Sequence, residues 1–502
     1  MTNAIFELSS LDGTNGFVIN GIDAGDNSGR SVSAAGDVNG DGIDDIIIGA
    51  EDADPNGTNS GESYVVFGSD SGFGASVELS ALDGTNGFVI NGIGIGDQSG
   101  ISVSAAGDVN GDGIDDIIIG ASFADPNGNS LAGESYFVFG SVAGFGATIE
   151  LCALDGTNGF AINGIDVFDL SGASVSAAGD VNGDGIDDII IGANGADPNG
   201  SNSGESYVVF GQASGFGAAL DLSSLNGTNG FVINGIDAND FSGVSVSVAG
   251  DVNGDGIDDI IIEAQDADPN GESRAGESYV VFGSDTGFGA SLELSALNGT
   301  NGFVVNGIDA IDQSGFSVSA AGDVNGDGID DIIIGAPFAG PNGISAGESY
   351  IVFGSDAGFE AALELSALNG TNGFVINGIV QSVLSGFSVS DAGDVNGDGI
   401  DDIIIGAQFA DPNGTNGAGE SYVVFGSDSG FGAALDLSAL NGTNGFVING
   451  VDASDFSGRS VSAAGDVNGD GIDDIIIGAD RAAPNGNAGA GESYVSLGFG
   501  GI

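Results

Sequence analysis

The chain has 502 residues, with 73 acidic side chains against four arginines, no lysine and no histidine, for a net charge of −69. That balance excludes nucleic acid as a partner, since binding it requires cations that neutralise phosphates, and argues equally against anionic membranes. A hydrophobic content of 41% is enough for a core despite 96 glycines, and the lone Cys152 allows no intrachain disulfide. Cys152 stands where other copies of a repeat carry Ser80 and Ser295, so a packed or idle thiol is expected. The segment Met1–Leu8 has neither the basic nor the apolar region of a secretory signal. No apolar run approaches the roughly eighteen residues needed to span a bilayer, so membrane insertion is not expected.

Four strands are predicted in the first unit. Residues 16–22 are short, apolar and bounded by glycine; residues 31–36 are built from Ser, Val, Ala and Gly. Residues 45–50 are an isoleucine run, and residues 62–68 read Glu-Ser-Tyr-Val-Val-Phe-Gly. The scheme restarts at residues 87–92, and no stretch keeps a helical period, so the chain is all-β. Ile46–Ile48 and Val65–Phe67 are continuously apolar, which requires cover on both faces of each small sheet. Radial stacking of four-stranded antiparallel sheets provides that cover, as in a β-propeller, with the small-residue strand 31–36 innermost. Units recur every 71 or 72 residues seven times, so residues 1–502 are expected to form one seven-bladed domain. The last unit lacks a strand after residues 491–498 and the first has one to spare. Residues 16–22 should therefore complete the final blade and leave no open edge.

The nine residues Asp37-Val-Asn-Gly-Asp-Gly-Ile-Asp-Asp45 recur unaltered from Asp108, Asp180, Asp251, Asp323, Asp394 and Asp466. Asp37, Asn39, Asp41 and Asp45 place oxygen donors at positions 1, 3, 5 and 9, and the carbonyl of Ile43 can supply another. With a bidentate Asp45 the loop reaches about six oxygens, within what Ca²⁺ takes and a poorer match to strictly octahedral Mg²⁺. Position 12 is Ile48 inside a strand, which excludes an EF-hand. The corresponding ligands are Asp108, Asn110, Asp112, Ile114 and Asp116; Asp180, Asn182, Asp184, Ile186 and Asp188; and Asp251, Asn253, Asp255, Ile257 and Asp259. They continue as Asp323, Asn325, Asp327, Ile329 and Asp331; Asp394, Asn396, Asp398, Ile400 and Asp402; and Asp466, Asn468, Asp470, Ile472 and Asp474. Seven Ca²⁺ sites are expected. Asp44, at position 8, is expected to be merely solvated.

Together, the Ser-Val-Ser-Ala-Ala-Gly strand, the acidic loop, the Ile-Ile-Ile-Gly-Ala run and the following Tyr-Val-Val-Phe-Gly resemble the FG-GAP repeat. That repeat is the blade unit of the integrin α-subunit seven-bladed propeller and its bacterial relatives. The resemblance implies calcium in the hairpin between first and second strands, on the lower face. It also implies ligand recognition on the opposite, upper face, through the loop leading into each blade and the loop after its second strand. Nothing in the chain resembles integrin legs, a transmembrane helix or a partner subunit.

Within the chain the acidic loop is constant, whereas the lead-in loop changes from Asp23-Ala-Gly-Asp-Asn27 to Val380-Gln-Ser-Val-Leu384. Arg30 and Arg459 occupy lead-in loops, and Arg274 and Arg481 follow second strands. All four are expected on the upper face, three of them at the closure seam, as pairs with neighbouring carboxylates or as a seat for an acidic partner group. Glu62 and its counterparts open every third strand; Asp26 and its counterparts precede Ser-Gly at six of seven lead-ins, Val383 taking the seventh place. Such repetition favours structural capping. The expected function is a calcium-binding extracellular or cell-surface adhesion or structural module. Its expected partners are an extracellular protein, a glycan or further copies of itself. A carbohydrate-binding propeller is the alternative, weakened by the absence of Trp. Without His or Lys an enzyme is not expected.

Overall fold

The computed structural model describes residues 5–499 as seven sheets arranged in a closed ring. In the first blade the strands run Ser31–Gly36, Asp45–Ala50, Glu62–Val66 and Gly87–Asn91 from the axis outward, each antiparallel to the last. Gly16–Asn20 pairs with Glu492–Ser496 as the fourth strand of the seventh blade, so the ring closes as the sequence predicts. Among the described residues the only helical segments are three-residue 3-10 turns.

Each blade also has a fifth strand that the sequence reading does not contain. Thr148–Glu150, from the third-to-fourth connection of the second blade, adds in parallel to Gly87–Asn91 of the first. Ile5–Glu7 does the same for the sixth blade, pairing with Val447–Asn449. Three residues with partial exposure give no periodic signal, and the parallel partner comes from another repeat. The chain start thus contributes to two blades, one strand to each.

The isoleucine run behaves as a strand covered on both faces. Ile47 packs with Val103, Ile117 and Ile119 of the second blade, while Ile46 and Ile48 pack with Ala464 and Ile476 of the seventh. Every core cluster is therefore shared by two blades, and burial ties each blade to its neighbours. At the axis the small side chains let inner strands meet. Ser31 Oγ accepts the Val103 N–H at 3.1 Å, and the series runs round the ring to Ser460 accepting the Val32 N–H at 3.2 Å.

Candidate metal loops and the variable face

A bulge between Ala34 and Gly36 turns the innermost strand into the acidic loop, with Gly36 in the left-handed region (φ 69°). Gly40 (φ 74°) and Gly42 (φ 89°) complete the curl, a backbone path that residues with a Cβ resist. Asp37 accepts the N–H of Asp41 at 2.9 Å on one oxygen and that of Gly42 at 2.8 Å on the other. Asp41 accepts the Ile43 N–H at 3.1 Å. Asp45 is fully buried and accepts N–H groups from Val38 (3.1 Å) and from Gly68 (2.9 Å). Gly68 is the glycine of the Phe-Gly pair; a Cβ there would lie 2.3 Å from the Asp44 carbonyl oxygen. That contact explains why the motif ends in glycine.

Burial, with repulsion from Asp41 and Asp37 added, pushes the Asp45 carboxyl up to about 8 against the pull of its two N–H donors. All six counterparts are pushed to about the same value by burial first, with like repulsion. A carboxylate placed where it resists ionisation, beside two others, gains from a neighbouring cation.

The donor set fits a hard cation. It consists only of oxygens, and each bonded carboxylate oxygen of Asp37 retains a lone pair. Among the described residues, no three His, Cys, Asp or Glu side chains already stand gathered as a metal cluster. Holding an ion therefore requires the carboxylates to turn inward. The Asn39 amide nitrogen faces Asp45 at 3.3 Å, so a ligand role for Asn39 also requires a half-turn that offers its oxygen.

The expectation that Asp44 is merely solvated is corrected. Asp115, its counterpart in the second loop, accepts the backbone N–H of Asp37 at 2.8 Å across the blade boundary. The same bond joins Asp108 to Asp187, Asp180 to Asp258, Asp251 to Asp330, Asp323 to Asp401 and Asp394 to Asp473. Asp44 closes the ring by accepting from Asp466 at 2.9 Å. The sequence conceals this because the two partners lie in different repeats.

Glu62 and Asp26 are structural, in different ways. Asp26 accepts the N–H of Asp23 within its own lead-in loop at 3.1 Å, and burial raises it to about 6. Glu62 instead accepts the hydroxyl of Tyr64 at 2.5 Å, and all seven tyrosines are buried and bonded this way. Cys152 is exposed rather than packed.

At the upper end of the axis the residue after Ser-Gly changes from blade to blade: Arg30, Ile101, Ala173, Val244, Phe316, Phe387 and Arg459. Arg30 Nη1 lies 3.0 Å from Glu51, whose buried carboxyl is raised to about 7 chiefly by desolvation, with Arg30 opposing. Arg459 and Arg481 each place Nε 3.5 Å from the fully buried Asp480. Neither contact has hydrogen-bond geometry, which leaves both Asp480 oxygens without a donor. The three arginines thus gather at the closure seam as the sequence implies. Arg274 stands apart, paired with Asp266 at 2.9 Å.

The aromatic side of this mouth escapes single-repeat reading. The Phe316 and Phe387 rings lie 4.8 Å apart, Phe338 meets Phe316 edge-on at 6.0 Å, and the Arg459 guanidinium sits 5.8 Å over Phe387. Comparing the same position across the seven copies would have found them. Further out on this face, Val380, Val383 and Phe409 join Asp411 and Glu420 in lining a cavity of about 690 Å³ at the sixth blade. The same place in the third blade is lined by Asp166, Asp169, Asp197 and Glu205.

The FG-GAP repeat pattern matches seven segments, residues 28–66, 99–138, 171–209, 242–281, 314–352, 387–424 and 457–496. The chain belongs to the FG-GAP repeat family. Each segment holds the first three strands of a blade with the acidic loop between the first two. Among similar proteins, Integrin alpha pat-2 of Caenorhabditis elegans is 32% identical over 252 residues, covering 48% of this chain and 18% of that protein. Integrin alpha-PS2 of Drosophila melanogaster is 29% identical over 237 residues, covering 46% and 15%. The phosphatidylinositol-glycan-specific phospholipase D of Bos taurus is 31% identical over 173 residues, covering 34% and 19%. The matched region spans less than a fifth of each of these relatives. No helix among the described residues of this FG-GAP ring is long and apolar enough to cross a membrane.

Proposed function

We propose that this FG-GAP propeller is a calcium-stiffened adhesion or surface-structural module that works outside the cell and engages a protein partner through its upper face. One observation carries the reading: seven unaltered acidic loops occupy one face, while the opposite face varies blade by blade and bears the arginines. Asp37, Asn39, Asp41, the Ile43 carbonyl and Asp45, with their counterparts, would hold Ca²⁺. The ion supplies positive charge where buried carboxylates crowd. The integrin α names among its relatives support an adhesive role. The seam of Arg30, Arg459 and Arg481 is the basic spot on a strongly acidic molecule, so an acidic group is the natural partner chemistry. A second copy presenting its lower face meets that description, because that face is rich in carboxylates; a heterologous contact of this kind can propagate.

Partner capture from surface material of the source organism, in calcium and in chelator, tests the reading alongside light scattering of the purified chain. Capture or self-association should require calcium and should fall when Arg30, Arg459 and Arg481 are all replaced by Gln. Indifference to both changes would refute the upper-face assignment.

A further inference from the structure

We propose that the seven loops bind their ions cooperatively, with the position-8 aspartate of each loop acting as the positioning residue for the loop before it. The inference rests on the calcium reading above and concerns how the sites communicate.

Three contacts link the first loop to the second blade. The Asp37 N–H donates to Asp115 at 2.8 Å, and the Ser141 N–H donates to the Val38 carbonyl at 2.8 Å. Space above Gly40 is filled by Ile114 and Val142, whose nearest atoms lie 3.1 and 2.4 Å from where a Cβ would stand. These contacts touch positions 1, 2 and 4 of one loop, the stretch from which Asp37 and Asn39 project. On the second loop they involve positions 7 and 8, the residues beside the buried Asp116. The arrangement requires glycine at position 36, because a Cβ there would lie 2.4 Å from the Asp115 carboxylate.

An ion drawn to Asp37, Asn39 and Asp41 orders the backbone that presents the Asp37 N–H and the Val38 carbonyl. That ordering holds Asp115, and with it the chain between the Ile114 carbonyl and Asp116, in the conformation their own ion requires. Linkage makes the help mutual: what the first ion does for the second, the second does for the first. The bond from Asp466 to Asp44 closes the series, so the ring has no terminal site. Repulsion between successive cations opposes the effect, but a position-8 carboxylate stands at every boundary and offsets it.

The test is a calcium-binding isotherm of the full chain by equilibrium dialysis, with thermal melting in saturating calcium to confirm folding. The wild type should take up seven ions with a Hill coefficient above one. Asp115→Ala should lower that coefficient and weaken the affected sites by about fivefold or more. Asp115→Asn, which keeps an oxygen acceptor, should recover most of the loss, and Arg274→Ala should leave the isotherm unchanged. Uptake of seven ions with a Hill coefficient of one or below would overturn the coupling and leave the calcium reading standing. Absence of uptake would overturn the calcium reading and the coupling with it. Should Asp115→Ala fail to fold, the wild-type slope and the Asp115→Asn isotherm decide the question.

Discussion

On the lower face, Asp45 and its six counterparts are fully buried, accept the N–H of the glycine after the third strand in every blade and are raised alike, whereas the upper axial positions run from Arg30 through Ile101 and Phe316 to Arg459. One face repeats a single loop seven times; the other puts arginine in two blades, an aliphatic side chain in three and phenylalanine in two at the same backbone position. Uniformity suits a task of the whole ring, since any blade that failed would leave a weak boundary in a closed series. Variation suits recognition, which needs a particular group at a particular place. The carboxylates follow the same division. Below, Asp45 is raised by burial and by repulsion from Asp41 and Asp37, with no cation of the chain beside it among the described residues; above, Glu51 and Asp480 have arginines of the chain itself.

The sharpest way to break this comparison is to remove calcium. Each occupied site stabilises the native ring by about 2.7 kcal/mol at a hundredfold excess over Kd, several-fold more over seven sites. The melting temperature should fall steeply in chelator at matched ionic strength. An unchanged melt would erase the distinction between the faces.

The upper face should respond to its own charges instead. Arg459→Met leaves Asp480 buried with only Arg481 at 3.5 Å, and a loss of about 1–3 kcal/mol is expected in denaturant melts. Because the change does not touch the loops, calcium uptake should be unaltered. A fall in ion number would show that the two faces are not separable.

Glu263 sharpens the comparison from within a core strand. It stands where the other second strands carry glycine, such as Gly49 and Gly120. It is fully buried; Ser278 donates to one oxygen at 3.0 Å, and the other oxygen has no partner. Burial holds its carboxyl well above the ordinary value of 4.5, with Ser278 opposing and the Glu277 charge adding to the rise. The folded chain therefore keeps this proton longer than the unfolded chain. Stability from it is fully present below the unfolded value and is lost as pH rises through the folded one. Glu263→Gly should raise stability by about 1–3 kcal/mol, and its advantage over the wild type should widen as pH rises above the ordinary carboxyl value of 4.5. A constant advantage would mean that the gain is steric.

The smallest effect is expected at Arg274, a half-exposed pair with Asp266. Arg274→Ala should change stability by about 0–1 kcal/mol in a thermal melt. A larger loss would give this isolated pair the weight reserved here for the seam.

The amino-acid sequence by itself determined the blade count, the first four strands of each blade, the closure by residues 16–22 and the position of every acidic loop. These follow from local pattern: apolar runs, glycine where the backbone turns left-handed, and a constant period. It also placed three arginines at one seam, because closure makes the first and last blades neighbours. Only the tertiary structure decided what crosses a blade boundary. The fifth strand, the bond from Asp37 to Asp115 and the contacts of Phe387 with Phe316 and Arg459 all join residues from different repeats. Their pairing depends on how far each blade is rotated against the next. That rotation is set by side chains such as Ile47 and Ile117 packing between sheets, and hydrophobic packing of this kind has no spacing that a single repeat can display.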